Sequence, residues 1–522
     1  MPSTLTELRF ELPAKAPAPR ARPLWPLHEI RWTPGEIATL VSLLSLTLLL
    51  TAWNLGGSPR YFEDEGTYTG RAWSLFEFRL DPYWYGFDHP PGAWMQMAPF
   101  LPVLELFGIG DSAVRTARVT SLLALVIIVG LLYVIGRRML INRVVMTVTL
   151  AAFVLSPLTQ EFMRRVYLDN IASVWALLAF AVAVAPSRHR WNYGLAGMAL
   201  GVSVLSKGQM LILAPALALA VFTYARRDQR WTAPMATAMG SAIVGALLPF
   251  WAWSTGQFEA FLSGTVRQLT RGGGDSMFVE GTARYAIVSR WYDYDQAYIY
   301  VGLVAAVLVF VLSTRGRWIG LAALLPLVQI LRTDGYLPAM YIIFMLPFLT
   351  LAMAMCAQAV WRFVADRVEI PTQTGRWVTA GLAVGLAALL VGPPLAGRLT
   401  AELYTTDVNA PVDAGVAWLL DNTRASERIM VDDIAFIDLR RQGRTDEWRQ
   451  VVNVYKLDLD PLAARRLPNG WRDFDYILET PTLQGSLSDD QLVLAREAFR
   501  SSTPVASFGE GEFQVNVRKV LK

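Results

Sequence analysis

Acidic side chains suited to proton transfer are concentrated just after the first long apolar segment of the chain. Glu63, Asp64 and Glu65 are consecutive there. A second segment, Asp88–Gly92, has the sequence Asp-His-Pro-Pro-Gly and adds an acid, an imidazole and a rigid turn. Carboxylates beside hydrocarbon are costly and usually functional, so both segments are candidate sites. The alternative interpretation is a solvated loop whose charges only face water.

Composition places these segments in a membrane protein. The chain has 522 residues, of which 54% are hydrophobic and 17% are charged. A soluble protein has about 25% charged residues, so this balance indicates an integral membrane protein. The net charge of +4 is distributed over short loops, which argues against nucleic-acid binding. Cys356 is the single cysteine, so an intrachain disulfide is excluded.

Apolar segments long enough to cross a bilayer recur along the chain. A spanning helix needs about 20 mostly apolar residues, and about eleven segments are candidates. They are residues 36–55, 113–135, 143–160, 168–186, 192–206, 209–225, 232–254, 297–313, 317–331, 337–358 and 377–397. We therefore predict a polytopic α-helical membrane domain over residues 36–397, preceded by a disordered tail over residues 1–35.

The distribution of basic residues predicts the orientation of this domain. Every second loop is basic, and Lys and Arg favour the cytoplasmic side of a membrane. The basic loops contain Arg137, Arg138, Arg143, Arg188, Arg190, Arg226, Arg227, Arg230, Arg315, Arg317, Arg362, Arg367 and Arg376. The N-terminal tail is therefore predicted to be cytoplasmic. Outer loops 56–112 and 255–296 and the region from residue 398 are predicted to be extracytoplasmic.

Residues 398–522 have the composition of a small soluble domain. Helical spacing occurs at Val412–Leu420 and Asp489–Phe499. Strand patterns occur at residues 428–433, 451–455, 476–478 and 513–517. This alternation predicts an extracytoplasmic α/β domain.

Three acids in this domain, Asp432, Asp433 and Asp438, follow the first predicted strand. They are candidate functional residues, although solvated acids at a strand end on the sheet edge are the preferred interpretation. The domain has no glycine-rich phosphate loop and no metal-ligand spacing. Its sequence therefore leaves the role of the domain open.

The predicted outer face contains many residues able to do chemistry. Besides Asp64, Glu65 and Tyr68, it includes Asp88 and His89. Further members in loops or at the membrane edge are Arg164, Arg165, Asp169, Lys207, Arg267, Arg271, Asp275, Arg332 and Asp334. A channel or a purely structural protein would not need this convergence.

Several short motifs occur on this face in a characteristic order. They are Asp64-Glu65 with Tyr68, His89 with Pro90 and Pro91, Arg115 to Arg118, Arg164 to Asp169, Leu205 to Gly208, and Tyr336 to Pro338. This order resembles the glycosyltransferase C superfamily, in particular the lipid A aminoarabinose transferases and the protein O-mannosyltransferases. His89 departs from the aminoarabinose enzymes, which have lysine before Pro-Pro, and agrees with the mannosyltransferases.

The resemblance implies a GT-C fold and a sugar donor carried on polyprenyl phosphate. The acceptor would be a hydroxyl or phosphate on an extracytoplasmic lipid, glycan or protein. Such a transfer needs a base for the acceptor's proton and cations for the leaving phosphate. The donor's prenyl chain can remain in the hydrocarbon, which explains a site at the bilayer surface.

The resemblance also suggests roles for individual residues. We predict Asp64 as the general base, with Asp169 orienting the sugar or acceptor and Glu65 assisting. The predicted phosphate partners are His89, Lys207, Arg267, Arg271 and Arg332, with Tyr336 or Tyr341 as neutral donors. The predicted substrate contacts are Tyr68, Asp88 and Arg165.

Other function classes stay open at this point. A transporter or flippase would line a passage with its charges and is expected to show internal repeats, which are not visible here. A scaffold would leave the outer acids unexplained. The sequence names neither the sugar nor the acceptor. No tightly bound cofactor is expected, and a divalent cation held by His89 with Asp88 or Asp64 has only weak support. The expected location is the plasma or inner membrane.

Overall fold

The computed structural model describes residues 29–187, 189–272, 276–333, 335–367, 392, 396–397, 401–488 and 491–522. Within them, five helical stretches are apolar and long enough to cross a membrane. They are Pro34–Ala52, Ala113–Arg138, Thr232–Ser254, Ala283–Leu312 and Ala339–Phe363. Shorter apolar stretches are Arg143–Leu155, Leu168–Ala183, Gly208–Tyr224 and Arg317–Ile330. The predicted polytopic helical class is confirmed.

The helices up to residue 367 are numbered α1 to α17 in chain order. The first nine are α1 Pro34–Ala52, α2 Glu63–Ser74, α3 Gly92–Met97, α4 Phe100–Leu106, α5 Ala113–Arg138, α6 Arg143–Leu155, α7 Pro157–Phe162, α8 Leu168–Ala183 and α9 Arg190–Ser206. The others are α10 Ala214–Tyr224, α11 Thr232–Gly245, α12 Leu247–Ser254, α13 Phe258–Thr270, α14 Ala283–Leu312, α15 Arg317–Leu324, α16 Leu327–Ile330 and α17 Leu346–Arg367. Single 3-10 turns occupy Leu75–Glu77, Gly208–Leu213, Arg227–Gln229 and Ala339–Ile342.

Loops from distant parts of the chain meet at one end of the helical bundle, which we call the site end. Arg118 of α5 donates hydrogen bonds to the carbonyls of Leu55 and Pro59 (2.9 and 2.8 Å). The backbone N–H of Val166 donates to Glu65 in α2 (3.1 Å). The ends of α1, α2, α5 and α8 are therefore joined at the site end.

Basic residues mark the opposite end of the bundle. Arg137 near the end of α5 pairs with Glu36 near the start of α1 (2.6 Å). Arg138 donates to the carbonyl of Ala181 near the end of α8 (2.6 Å). The basic loop after α5 therefore lies away from the site end.

The predicted apolar segments as far as residue 358 coincide with helices, but the structure divides some of them. Ala246 separates α11 from α12, and Pro326 precedes α16. α14 begins at Ala283, well before the predicted start, and bends at Asp295, whose φ of −162° and ψ of 81° are not helical. Hydropathy misses the first half of α14 because that half is polar. Nearly all of the predicted segment 377–397 and most of the predicted N-terminal tail lie outside the described residues.

The C-terminal domain contains a five-stranded sheet with the order β2-β1-β3-β5-β4. The strands are β1 Ile429–Val431, β2 Val451–Asn453, β3 Tyr476–Glu479, β4 Ser502–Phe508 and β5 Val515–Val520. β1 is parallel to β2 and β3, whereas β5 is antiparallel to β3 and β4. The helices are α18 Glu402–Thr405, α19 Ala410–Asn422, α20 Asp433–Arg441, α21 Val454–Leu459, α22 Ala463–Arg466, α23 Pro481–Ser486 and α24 Val493–Arg500, with 3-10 turns at Gly470–Asp473 and Gly511–Phe513.

The sequence analysis misses strand β4. This strand lies at the edge of the sheet, most of its side chains are exposed, and its register with β5 shifts between Pro504 and Ala506. Proline is tolerated at a sheet edge because its missing N–H faces solvent. An exposed edge strand that contains proline lacks the alternation by which strands are detected.

The interpretation of Asp432, Asp433 and Asp438 as solvated acids is wrong. Asp432 is 1% exposed and caps α20. Asp433 accepts a hydrogen bond from Thr67 in α2 (2.9 Å), and Asp438 accepts one from the backbone N–H of Ala113 in α5 (2.7 Å). Asp438 is buried and Asp433 is half-buried because α20 packs on the site end of the membrane domain, a contact that no local pattern predicts.

Candidate active site

Helix α2 turns its three adjacent acids toward different surroundings. Glu63, Asp64 and Glu65 form its first turn, where the positive end of the helix dipole stabilises negative charge. Successive residues of an α-helix differ in direction by about 100°. The three carboxylates therefore have different partners.

Glu65 faces the membrane domain and is fully buried against Arg118. Both side chains are 0% exposed, and Arg118 Nη2 lies 2.8 Å from Glu65 Oε1. Glu65 also accepts hydrogen bonds from the N–H groups of Phe62 (3.2 Å) and Val166 (3.1 Å). Both of its oxygens are thus engaged. This arrangement favours Glu65 as the group that holds α2 in place, whereas an assisting role in chemistry stays a prediction.

Asp64 shares a second face of α2 with Tyr68 and Arg71. Asp64 is half-buried, and Tyr68 is 2% exposed. Burial raises the pKa of Asp64 to about 6, although Lys207 opposes the shift and Asp169 adds to it. A carboxyl group with a pKa near neutrality is suited to general base catalysis.

Lys207 and Asp169 form a buried ion pair near Asp64. Lys207 Nζ lies 3.4 Å from Asp169 Oδ2, and the two side chains are 2% and 0% exposed. Lys207 follows α9 in an extended conformation, and Asp169 is in the first turn of α8. Lys207 Nζ is also 6.0 Å from the ring centre of Tyr68. The predicted break at Ser206–Gly208 therefore places a cation among the candidate site residues.

The His89 segment is joined to α2 through Arg71. Arg71 donates hydrogen bonds to Asp81 (2.8 Å) and to Asp88 (3.0 Å). Burial alone would raise the pKa of Asp88, but Arg71 outweighs it and holds this pKa well below its usual range. Burial lowers the pKa of His89 to about 3, and Lys207 adds to the effect. His89 is therefore a neutral hydrogen-bonding group at neutral pH, not a cation.

Gly92 joins the His89 segment to the hairpin that carries Lys207. A Cβ atom on Gly92 would lie 2.6 Å from the carbonyl oxygen of Leu205, too close for any side chain. Glycine permits this approach of two backbones. The Pro-Pro-Gly motif and the Leu-Ser-Lys-Gly motif therefore meet at one place.

Two outer loops also reach the neighbourhood of Asp64. The guanidinium of Arg271 lies 4.1 Å from the ring centre of Tyr336, and the N–H of Tyr336 donates to the carbonyl of Arg271 (3.1 Å). Tyr336 is 45% exposed, and partial desolvation together with the charge of Asp64 raises the pKa of its hydroxyl. Arg271 and Tyr336 are thus electrostatic neighbours of Asp64.

Arg165 and Arg267 have partners other than Asp64. Arg267 donates to the carbonyl of Gly86 (3.2 Å) and so joins α13 to the segment before Asp88. Arg165 pairs with Glu161 (2.5 Å).

Two further predicted phosphate partners lie in the segment before α17. Arg332 is exposed at the start of the loop that carries Tyr336. Tyr341 is 7% exposed in the 3-10 turn that precedes α17. Asp275 and Asp334 lie outside the described residues.

Sequence reasoning missed two arginines that organise the site. Arg71 is not among the predicted site residues, although its spacing from Asp64 and Tyr68 puts all three on one helical face. Arg284 of α14 is 2% exposed and donates to the carbonyls of Arg332 (2.7 Å) and Gly335 (2.6 Å). Arg284 thereby holds the loop of Tyr336, and no sequence signal marks this role.

An apolar groove of about 510 Å³ opens beside the polar residues. Pro91 and Gly92, which follow the His89-Pro90 pair, form part of its wall, and Leu205 lies two residues before Lys207. Further lining residues are Leu75, Leu80, Met95, Leu248 and Trp251. The groove could hold a hydrocarbon chain whose polar end is near His89 and Lys207.

No metal centre is evident among the residues that the structure describes. Groups of three or more His, Cys, Asp or Glu side chains close enough to hold an ion are absent from those residues. Asp88, one ligand of the weak candidate, is engaged by Arg71. A divalent cation at His89 therefore gains no support from this geometry.

Comparison with known proteins relates this arrangement to glycosyltransferases. Residues 88–253 match the family described as Dolichyl-phosphate-mannose-protein mannosyltransferase. The structure is similar to ArnT from Cupriavidus metallidurans bound to undecaprenyl phosphate, with a TM-score of 0.58 and 16% identity over 93% of this chain and 98% of that chain. It is also similar to an oligosaccharyltransferase from Archaeoglobus fulgidus, with a TM-score of 0.51 and 11% identity over 91% of this chain and 74% of that chain. No curated protein sequence matches the chain.

Both structural relatives are GT-C glycosyltransferases, and the similarity to ArnT extends over nearly all of both chains. The expected GT-C fold is thereby confirmed, including the small C-terminal sheet domain. The family match covers the His89 segment and the part of the chain that carries Asp169 and Lys207. Part of the chain therefore matches a mannosyltransferase family, and its fold is similar to that of GT-C glycosyltransferases.

Proposed function

We propose that this protein transfers a sugar from a polyprenyl-phosphate donor to an acceptor hydroxyl or phosphate at the extracytoplasmic membrane surface. The proposal depends chiefly on one arrangement in a GT-C fold. Asp64, a carboxyl group with a pKa near 6, is an electrostatic neighbour of the cations Lys207 and Arg271. The apolar groove opens beside the His89 and Lys207 segments. This combination suits a substrate with a reactive phosphate end and a hydrocarbon tail.

The relatives support the donor class. The matching family is named for a dolichyl-phosphate sugar, and ArnT binds undecaprenyl phosphate. Both lipids are polyprenyl phosphates. The sugar and the acceptor lie beyond this support.

The proposed reaction divides the work among residues of this chain. Asp64 takes the proton of the acceptor hydroxyl, whose oxygen attacks the anomeric carbon of the sugar. The bond between that carbon and the phosphate oxygen breaks, and polyprenyl phosphate leaves with the electron pair. Lys207 and Arg271 stabilise the leaving phosphate by charge, which is strongest where water is excluded. His89 and Tyr336 add neutral hydrogen-bond donors.

The other predicted site residues keep supporting roles in this proposal. Asp169 holds Lys207 and, through it, the position of the sugar phosphate. Arg267 and Arg332 belong to segments that border the site, and Tyr68, Asp88 and Arg165 define its walls. Glu65 fixes α2 and is not needed as a proton carrier.

We further propose that the site end is extracytoplasmic and that the N-terminus is cytoplasmic. The basic loop at Arg137 and Arg138 lies at the opposite end of the bundle, and basic loops favour the cytoplasm. Reporter fusions after Arg230 and Lys522 are expected to report the cytoplasm and the outside, respectively. A cytoplasmic C-terminus would contradict this orientation.

The donor can be identified by mass spectrometry of lipids that co-purify with the protein. Purified protein is then incubated with polyprenyl phosphates carrying aminoarabinose, mannose, arabinose or galactose, together with an envelope extract as acceptor. We expect one donor to lose its sugar with release of free polyprenyl phosphate. Movement of an intact donor across vesicle membranes, without loss of sugar, would instead identify a flippase.

Lys207→Ala is expected to weaken binding of undecaprenyl phosphate by about 10- to 150-fold. The variant loses a charge-assisted phosphate contact worth about 1.5–3 kcal/mol. Arg332→Ala is expected to weaken binding in the same direction. Titration of undecaprenyl phosphate in detergent measures both effects, with the exposed Arg230→Ala as a control.

The Lys207 variant also leaves Asp169 buried without its cation. Repeating the titration in an Asp169→Asn background separates the effect of this uncompensated charge from the loss of the phosphate contact. If Lys207→Ala binds undecaprenyl phosphate with wild-type affinity in both backgrounds, Lys207 only neutralises Asp169 and does not contact the phosphate.

A further inference from the structure

The third face of α2 packs directly on the C-terminal domain. A Cβ atom on Gly66 would overlap the carbonyl group of Asp433 and the backbone nitrogen of Ile434. Two backbones therefore touch at this point without an intervening side chain. The contact lies two residues from Asp64 along the helix.

Side chains reinforce this contact on both sides of Gly66. Thr67 donates a hydrogen bond to Asp433 Oδ2 (2.9 Å), and Asn453 donates one to Asp433 Oδ1 (2.6 Å). Tyr455 donates to Glu63 Oε2 (3.3 Å). Burial raises the pKa of Glu63 to about 9, and Asp433 adds to the effect. Glu63 is therefore protonated at neutral pH, so the two acids do not repel each other.

The segment that leads into α2 is held by the same domain. The side-chain oxygen of Asn409 accepts from the N–H of Tyr61 (2.8 Å), and its nitrogen donates to the carbonyls of Gly56 (2.8 Å) and Pro59 (3.1 Å). The C-terminal domain thus contacts α2 and the chain before it.

The contacts made by Glu63 and by Glu65, the two sequence neighbours of Asp64, together fix the rotation of α2 and so the face on which Asp64 lies. Glu65 is held by Arg118 of the membrane domain, and Glu63 is held by Tyr455 of the C-terminal domain. Asp64 lies between them on the remaining face of the helix. Its own side chain is half-buried.

We propose that the C-terminal domain positions the candidate base, with Asp433 and its contact at Gly66 as the positioning element. This inference rests on the proposed function, because it assigns the domain a part in the same transfer. Asp433 touches α2 and acts through it, so Asp433 is a positioning residue. The domain is then part of the catalytic arrangement and not a separate binding module.

The test compares two substitutions in the same helix. Gly66→Ala forces α2 and Asp433 apart, because the added Cβ has no room. Gly70→Ala, one turn later, is the matched control, since its nearest neighbour would be Pro82 Cγ at an ordinary 3.6 Å. Both changes replace glycine by alanine in α2, so their effects on helix propensity are the same.

Three measurements on the full-length protein are needed. Hydrogen exchange of peptides covering residues 62–74 reports the seating of α2. Titration of undecaprenyl phosphate reports donor binding, and single-turnover transfer from the identified donor reports chemistry. A misplacement of about 1 Å can cost about 10²-fold in rate. We expect Gly66→Ala to exchange faster and to transfer about 10- to 100-fold more slowly with near wild-type donor binding, while Gly70→Ala resembles wild type.

Each outcome has a defined meaning. A Gly66→Ala variant with faster exchange and the wild-type transfer rate overturns the inference. If Gly66→Ala fails to fold, Thr67→Val replaces it, since valine keeps the shape of threonine but removes the hydrogen bond to Asp433. Thr67→Val is expected to slow transfer about 3- to 10-fold, in keeping with one lost hydrogen bond of about 1 kcal/mol. An unchanged rate in that variant also overturns the inference. A wild-type protein that transfers no sugar overturns the proposed function itself, and a changed exchange in Gly66→Ala then reports docking alone.

Discussion

Asp64→Asn is expected to slow sugar transfer by about 10²–10⁴-fold, the usual contribution of a general base. Asparagine keeps the shape of the side chain but cannot accept the acceptor's proton. Binding of undecaprenyl phosphate should stay near the wild-type level, because Lys207 and Arg271 are unchanged. Single-turnover transfer from the identified donor measures the loss, with folding checked by size-exclusion chromatography.

The control for this variant is Asp111→Asn. Asp111 is an acid near the site end whose side chain is 74% exposed, so its loss should have little effect. A well-folded Asp64→Asn variant that transfers at the wild-type rate would show that the base is elsewhere.

The pH dependence of the wild-type rate gives a second measurement of Asp64. Burial raises the pKa of this carboxyl group to about 6, and a base must be ionised to accept a proton. Transfer should therefore be fully active above this pKa and decline as the pH falls through about 6. The acid limb should be absent from the residual activity of Asp64→Asn. A limb that persists in the variant would belong to another group.

Glu65→Gln is expected to destabilise the protein by about 3–5 kcal/mol, the cost of leaving one member of a buried ion pair alone. The change preserves shape but removes the charge that Arg118 faces, and both side chains are 0% exposed. Thermal or denaturant unfolding in detergent measures the effect. Glu77→Gln is the matched control, because Glu77 also pairs with arginine but is 44% exposed. Exposed pairs are worth about 0–1 kcal/mol.

The Glu65 result separates the two roles considered for this residue. A variant that unfolds readily but retains transfer in its folded fraction supports a structural role. A variant that is as stable as wild type but inactive would place Glu65 in the chemistry, as the sequence motif suggests. Asp64→Asn is therefore expected to lower the transfer rate, whereas Glu65→Gln is expected to lower the stability.

The amino-acid sequence alone is sufficient to predict the helical membrane class and the GT-C fold. Hydropathy predicts spanning segments because a helix satisfies its own backbone hydrogen bonds in lipid. The sequence also predicts a break between two helical segments at Ser206–Gly208, and in the structure α9 ends at Ser206 and Lys207 is extended. Asp64, Asp169 and Lys207 are predicted as site residues because charged side chains at a membrane edge are energetically costly and are usually functional.

Only the tertiary structure decided which of these acids is available. Asp64 and Glu65 are neighbours in sequence, yet both carboxylate oxygens of Glu65 accept hydrogen bonds from Arg118, which is 53 positions away. The segment of Asp433 resembles an exposed strand end, whereas its hydrogen-bond partner Thr67 lies 366 positions away in the chain. The free energy of a carboxylate depends on the charges and hydrogen bonds around it. Those groups are brought together by packing between distant segments, and a local sequence pattern contains no information about them.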